Sequence, residues 1–93
     1  MFKNMQQIQT QMQQMQAKLE QIRATGSAGG GMVEVTVNGK MEVQSITIAP
    51  EVVDPTDIST LEVVVASAFN AAVQNVQDLL KSEAASLAGG MQS

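Results

Sequence analysis

Between Leu61 and Val73, ten of thirteen residues are apolar, the exceptions being Glu62, Ser67 and Asn70. The run Val63-Val64-Val65 resembles a strand, but the alanines from Ala66 to Ala72 and the polar stripe Glu62, Asn70, Gln74, Gln77 and Lys81 carry a helical period. A helix that is apolar most of the way round must be covered on more than one side. A chain of 93 residues has too thin a core to provide that cover alone. The economical solution is a symmetric dimer with this segment central and the sheets outside. Its candidate interface residues are Leu61, Val64, Val65, Ala68, Phe69, Asn70, Ala72 and Val73. Asn70, in the most apolar stretch, is expected to fix helix register through a hydrogen bond.

The helix start is marked by Asp54-Pro55-Thr56-Asp57, where either aspartate can cap and proline fits a first-turn position. The helix is expected to run from about residue 57 to 87, leaving a short tail over residues 88–93 that contains Gly89-Gly90. Thirty residues of helix span about 45 Å, beyond the roughly 25 Å diameter of a globule this size, so its C-terminal half should project.

A second helix is expected over about residues 1–24. Met1, Met5, Ile8, Met12, Met15, Leu19 and Ile22 are spaced 4, 3, 4, 3, 4, 3, a heptad seam held for three repeats. Eight glutamines between Gln6 and Gln21 keep the remaining faces polar without charge. With Met5, Met12 and Leu19 at a positions, Lys18 falls at g and Arg23 at the next e. A parallel two-stranded pairing would therefore set the two cations against each other. Met5, Met12 and Met15 make the seam pliable.

The stretch Thr25 to Gly31, with four glycines, is expected to be a flexible connector. It leads from a helix into a strand and no Gly-Lys-Ser/Thr follows, so it is not a phosphate cradle. Antiparallel strands are expected over residues 32–48. Val33, Val35 and Val37 alternate with Glu34 and Thr36, and Asn38-Gly39 is a hairpin signal. A two-residue loop would oppose Val37 to Lys40, whereas a three-residue loop aligns Val37 with Met41 and Val35 with Val43, so the three-residue loop or a bulge is favoured. The apolar parity shifts between Val43 and the pair Ile46 and Ile48, which implies a bulge near Gln44-Ser45 or a break into another strand. Pro50 ends the run. All of this fits one domain, residues 1–93.

Composition narrows function by exclusion. The chain has no cysteine and no histidine, so thiolate chemistry, the commonest general base and the commonest metal ligand are absent. Glu51, Asp54 and Asp57 are better explained by capping and turn chemistry than as a metal or acid/base cluster. An enzyme is the least favoured class, and no cofactor or small-molecule substrate is expected. Two phenylalanines with no tyrosine or tryptophan cannot build a base-stacking surface for single strands. The N-terminus lacks the apolar stretch of a secretory signal and nothing approaches a membrane span, so the expected address is the cytoplasm.

The order of segments, with its particular residues, resembles the YbaB/EbfC family of bacterial nucleoid-associated proteins. The resemblance is carried by the Met/Gln-rich first helix, Gly31-Met32-Val33-Glu34-Val35-Thr36-Val37-Asn38-Gly39, Ile46-Thr47-Ile48-Ala49-Pro50-Glu51, Leu61-Glu62 through Ala68-Phe69-Asn70-Ala71-Ala72, and Gly89-Gly90-Met91. It implies an α+β fold, an α-β-β-β-α protomer with a small antiparallel sheet and two long helices. It also implies a tight homodimer with projecting helical arms. The partner it implies is double-stranded DNA, bound in the nucleoid with little sequence preference, with effects on DNA shape and transcription. The chain departs from the family pattern at Ala49, Val63 and Ala71, where acids are usual, and at Gln74 and Asn75, where lysines are common.

Five Lys and Arg against nine Asp and Glu give a net charge of −4, the wrong overall sign for attraction to phosphate. DNA binding must rest on a local cluster, and the candidates are Lys3, Lys18, Arg23, Lys40 and Lys81. A dimer doubles each of them. The competing reading is a dimeric adaptor that binds a protein partner through its Met-rich helix.

Overall fold

The alternation of Val33, Val35 and Val37 sets the centre of the molecule. In the computed structural model, which describes residues 2–92 and the side-chain surroundings of residues 5–85, these three valines are fully buried on β2 (Val33–Asn38). The order is α1 (Phe2–Gln21), β1 (Arg23–Ala28), β2, β3 (Val43–Ile48), a 3-10 turn (Pro50–Val52) and α2 (Ile58–Gln92). The sheet is antiparallel with strand order β1-β2-β3, as the α-β-β-β-α expectation required.

Three expected boundaries differ. The glycine-rich stretch is not a connector throughout: Arg23–Ala28 forms β1, paired in register from Arg23 opposite Asn38 to Ala28 opposite Val33. Accordingly α1 stops at Gln21 rather than near residue 24. The reason is tertiary. Gly26 lies directly beneath α2, where a Cβ would run into the backbone of Ala68 and Ala72, so the residue with the poorest strand propensity is the one that lets helix and sheet touch. Only Gly29, Gly30 and Gly31, all with positive φ, act as a turn. At the other end, α2 continues through Gly89-Gly90 to Gln92 instead of ending near Leu87.

The hairpin between β2 and β3 closes on the Asn38 N–H donating to the Glu42 carbonyl at 3.0 Å, around Gly39-Lys40-Met41, and pairs Val37 with Val43 rather than Met41. Met41 takes positive φ, and the buried Asn38 organises the loop. Its Oδ1 accepts from the backbone N–H of Lys40 at 2.9 Å and of Glu42 at 3.0 Å, while its amide donates to the Glu42 carboxylate at 3.0 Å. The expected irregularity at Gln44-Ser45 is present, since Thr36 opposes Ser45 while Val37 opposes Val43. This bulge keeps Val43, Ile46 and Ile48 on one face.

That inner face grows from strand to strand: Ala24, Gly26 and Ala28 on β1, three valines on β2, then Val43, Ile46 and Ile48 on β3. Helix α2 packs where the face is lowest, over β1 and β2. Ala68, Ala72 and Val76 complete the buried core, and each fully buried valine contributes roughly 1.5–3 kcal/mol. The outer face is small and hydroxylic, with Thr25 and Thr36 hydrogen-bonded at 3.0 Å. Asp57 caps α2, its carboxylate accepting from the Thr60 backbone N–H at 3.3 Å and the Thr60 hydroxyl at 2.6 Å. Asp54 closes the preceding turn onto Thr56. The radius of gyration is 18.3 Å, against about 12 Å for a compact chain of this length, because both helices project. No helix among the described residues is long and apolar enough to cross a membrane.

Candidate nucleic-acid interface

Helix α1 is joined to the sheet at one end only. The N–H of Gly39, at the tip of the β2–β3 hairpin, donates to the carbonyls of Leu19 and Ile22, each at 2.9 Å. A side chain at Gly39 would meet the Leu19 carbonyl oxygen at 2.7 Å. Beside this junction Lys40 Nζ meets Glu20 Oε1 at 3.2 Å, the one ion pair among the described residues. The groove where α1 leaves the body, about 230 Å³, is lined by Met15, Lys18, Leu19 and Ile22 facing Leu80, Glu83 and Ala84 of α2. Arg23 starts β1 immediately after, and Lys81 follows Leu80 on α2.

The consequence is a polarised molecule. Lys18, Arg23, Lys40 and Lys81 all lie at the end of the sheet where α1 joins, accompanied by Glu20, Glu42, Asp78 and Glu83. The opposite end, formed by Glu34, the 3-10 turn and the start of α2, carries Glu34, Glu51, Asp54, Asp57 and Glu62 with no cation among the described residues. Asp54 there is held below the ordinary carboxylate range by the Thr56 hydroxyl and then by the Thr56 backbone N–H. On these residues the end where α1 joins balances its charges and the opposite end is acidic.

The structure brings together Lys18, Arg23, Lys40 and Lys81 of the sequence candidates, with Lys40 engaged by Glu20. The side chain of Lys3 lies outside the described residues. The two positions that lack the family's lysines are occupied structurally: Asn75 donates to the Thr25 carbonyl at 2.8 Å, tying α2 to β1, and Gln74 donates to Asp78 at 3.1 Å.

The candidate dimer residues divide. Ala68 and Ala72 are fully buried inside their own protomer, a correction to their expected outward placement, because small side chains are what allow α2 to approach Gly26. Asn70 is exposed and makes no hydrogen bond across helices within the chain, while Val64 and Val73 are half-buried. Leu61, Val65 and Phe69 line an open apolar cavity of about 520 Å³ together with Val35, Ile46 and Ala66. Val43, Ile46 and Ile48 beside it are 38–50% exposed. Sequence reading missed this β3 row; the available signal was that one helix covers at most two of three strands.

The protomer is α-β-β-β-α, with Lys18, Arg23, Lys40 and Lys81 near the root of two projecting helices and an apolar face left open. The same fold appears in the crystal structure of an uncharacterized protein, HP0035, from Helicobacter pylori, with a TM-score of 0.63 and 25% identity over 86% of this chain and 93% of that one. The chain belongs to the YbaB/EbfC DNA-binding family, whose model matches residues 1–91. It is 44% identical to the nucleoid-associated protein TTE0040 of Caldanaerobacter subterraneus subsp. tengcongensis, over 97% of this chain and 81% of the relative. It is 47% identical to the nucleoid-associated protein Cphamn1_1179 of Chlorobium phaeobacteroides, over 98% and 80%.

Proposed function

We propose that the chain binds double-stranded DNA as a homodimer, largely without sequence preference, and so alters the shape and compaction of DNA in the bacterial nucleoid, in the cytoplasm, with effects on gene expression as a consequence. The observation that carries this reading is the collection of Lys18, Arg23, Lys40 and Lys81 at one end of a chain whose other end is acidic. Neutralising phosphates releases counterions, which makes affinity steeply salt-dependent and indifferent to base identity. Dimerisation is supported by the uncovered β3 row and the adjoining Leu61, Val65 and Phe69 cavity, an apolar patch that water disfavours and a second copy would cover.

The test is fluorescence anisotropy of a labelled random-sequence duplex of about 25 base pairs. With Lys18, Arg23 and Lys81 from two protomers each meeting a phosphate, affinity should fall about 10³-fold between 50 and 200 mM salt. An affinity indifferent to salt, or none at 50 mM, would overturn the reading. Light scattering on Ile46→Glu/Phe69→Glu, compared with the wild type, tests the dimer face separately.

A further inference from the structure

From Met5 to Met15 every side chain of α1 is exposed, including the apolar seam itself: Met5, Ile8, Met12 and Met15 are 55–66% exposed. Leu19 and Ile22, which continue the same seam, are partly covered by the body. The chain therefore covers the root of its heptad seam and leaves the outer half bare. An isolated helix of this length is marginal in water, and most helical stability in proteins comes from packing an apolar face. A spacing of 3.5 residues, rather than 3.6, is the spacing that keeps a stripe facing another helix.

We infer that this bare half-seam pairs antiparallel with the same half-seam of a second copy. Two features select that occupant. The first is self-complementarity. In an antiparallel pairing a positions face d positions, and a two-fold axis passing α1 beside Thr10 sets Met5 against the partner's Met15 and Ile8 against the partner's Met12. All four bare residues then find apolar partners while Leu19 and Ile22 stay with their own fold. The second feature is charge. Residues 5–15 contain no charged side chain, only Met, Ile, Thr and Gln, so a like copy meets no repulsion along the contact. The same lack of charge makes this stretch a poor phosphate contact, which leaves DNA to the root of the arm and self-association to its outer part. Pairing through α1 uses a surface separate from the β3 face and does not depend on DNA binding; with DNA bound, it would link one duplex to another.

The chain has no native cysteine, so introduced thiols report cleanly. Full-length Met5→Cys and Met15→Cys proteins are incubated with oxidised glutathione, separately and mixed. The mixture should form the inter-chain disulfide at least tenfold faster than either protein alone. In a parallel arrangement Met12→Cys by itself would bridge rapidly instead. In parallel, the variant Met5→Gln/Ile8→Gln/Met12→Gln/Met15→Gln, which keeps good helix formers at exposed positions, should have at most half the wild-type mass by sedimentation. Unchanged mass, absence of the mixed disulfide, or rapid bridging of Met12→Cys would each overturn the inference. An Ile46→Glu/Phe69→Glu variant that loses mass while the mixed disulfide still forms would confine any failure to the β3 face.

Discussion

The two helices are built from similar signals and meet opposite fates. Helix α2 between Leu61 and Val76 presents Ala68, Ala72 and Val76 to a sheet that buries them completely, whereas α1 from Met5 to Met15 presents a regular apolar stripe that stays more than half exposed. The difference is one of shape rather than hydrophobicity. Small residues at Gly26, Ala68 and Ala72 let α2 come close enough for dispersion and burial to act together. Helix α1, tethered through the hairpin tip, stands clear of the sheet. Periodicity reports that a face is apolar; it does not report what that face meets.

The contrast can be broken most severely at its point of closest contact. Gly26→Val should lower unfolding free energy by about 3 kcal/mol or more, because the added atoms meet α2 backbone that has no rotamer to yield with; a urea titration reads this directly. Truncations of similar size then measure the two helices against each other. Val76→Ala, in the core, should cost about 2 kcal/mol. Ile8→Ala on the bare seam should cost under about 0.5 kcal/mol in dilute protein. Its cost should grow with protein concentration, since an associating face stabilises by mass action.

Smaller effects belong to the helix starts. Asp57→Ala removes the only side-chain cap of α2 seen at its N-terminus and should cost about 1 kcal/mol. Asp54 has the slightest and most pH-specific contribution. Thr56 lowers its folded pKa beneath the unfolded value, so its stabilisation is present above the unfolded pKa and is lost as pH falls through the lower folded one. The stability gap between wild type and Asp54→Asn should therefore be fully open at pH 6 and close in strongly acidic solution. Thr56→Val should narrow that gap at pH 6.

Much of the fold was legible because its signals are local. Heptad spacing located α1, the Val33-Val35-Val37 alternation located β2, the parity shift located the bulge, and Asp57 marked the start of α2. The candidate site was legible only as an inventory of cations. Lys18 and Leu80 are far apart in sequence, and only the groove between α1 and α2 brings them to the same end, with Lys81 next along α2. Lys40 resembles any turn lysine until Glu20 is placed beside it.

What the sequence determined by itself is whatever a few consecutive residues decide through backbone sterics and side-chain spacing: two helices, a bulged hairpin, their caps, and a class without thiol or imidazole chemistry. The tertiary structure alone decided that Arg23–Ala28 is a strand, that Ala68 and Ala72 face inward, and that Lys18, Arg23 and Lys40 lie at one end. Close approach and charge clustering are properties of two surfaces brought together across tens of residues. No local pattern at Gly26 distinguishes a flexible link from a seat cut to the width of a helix.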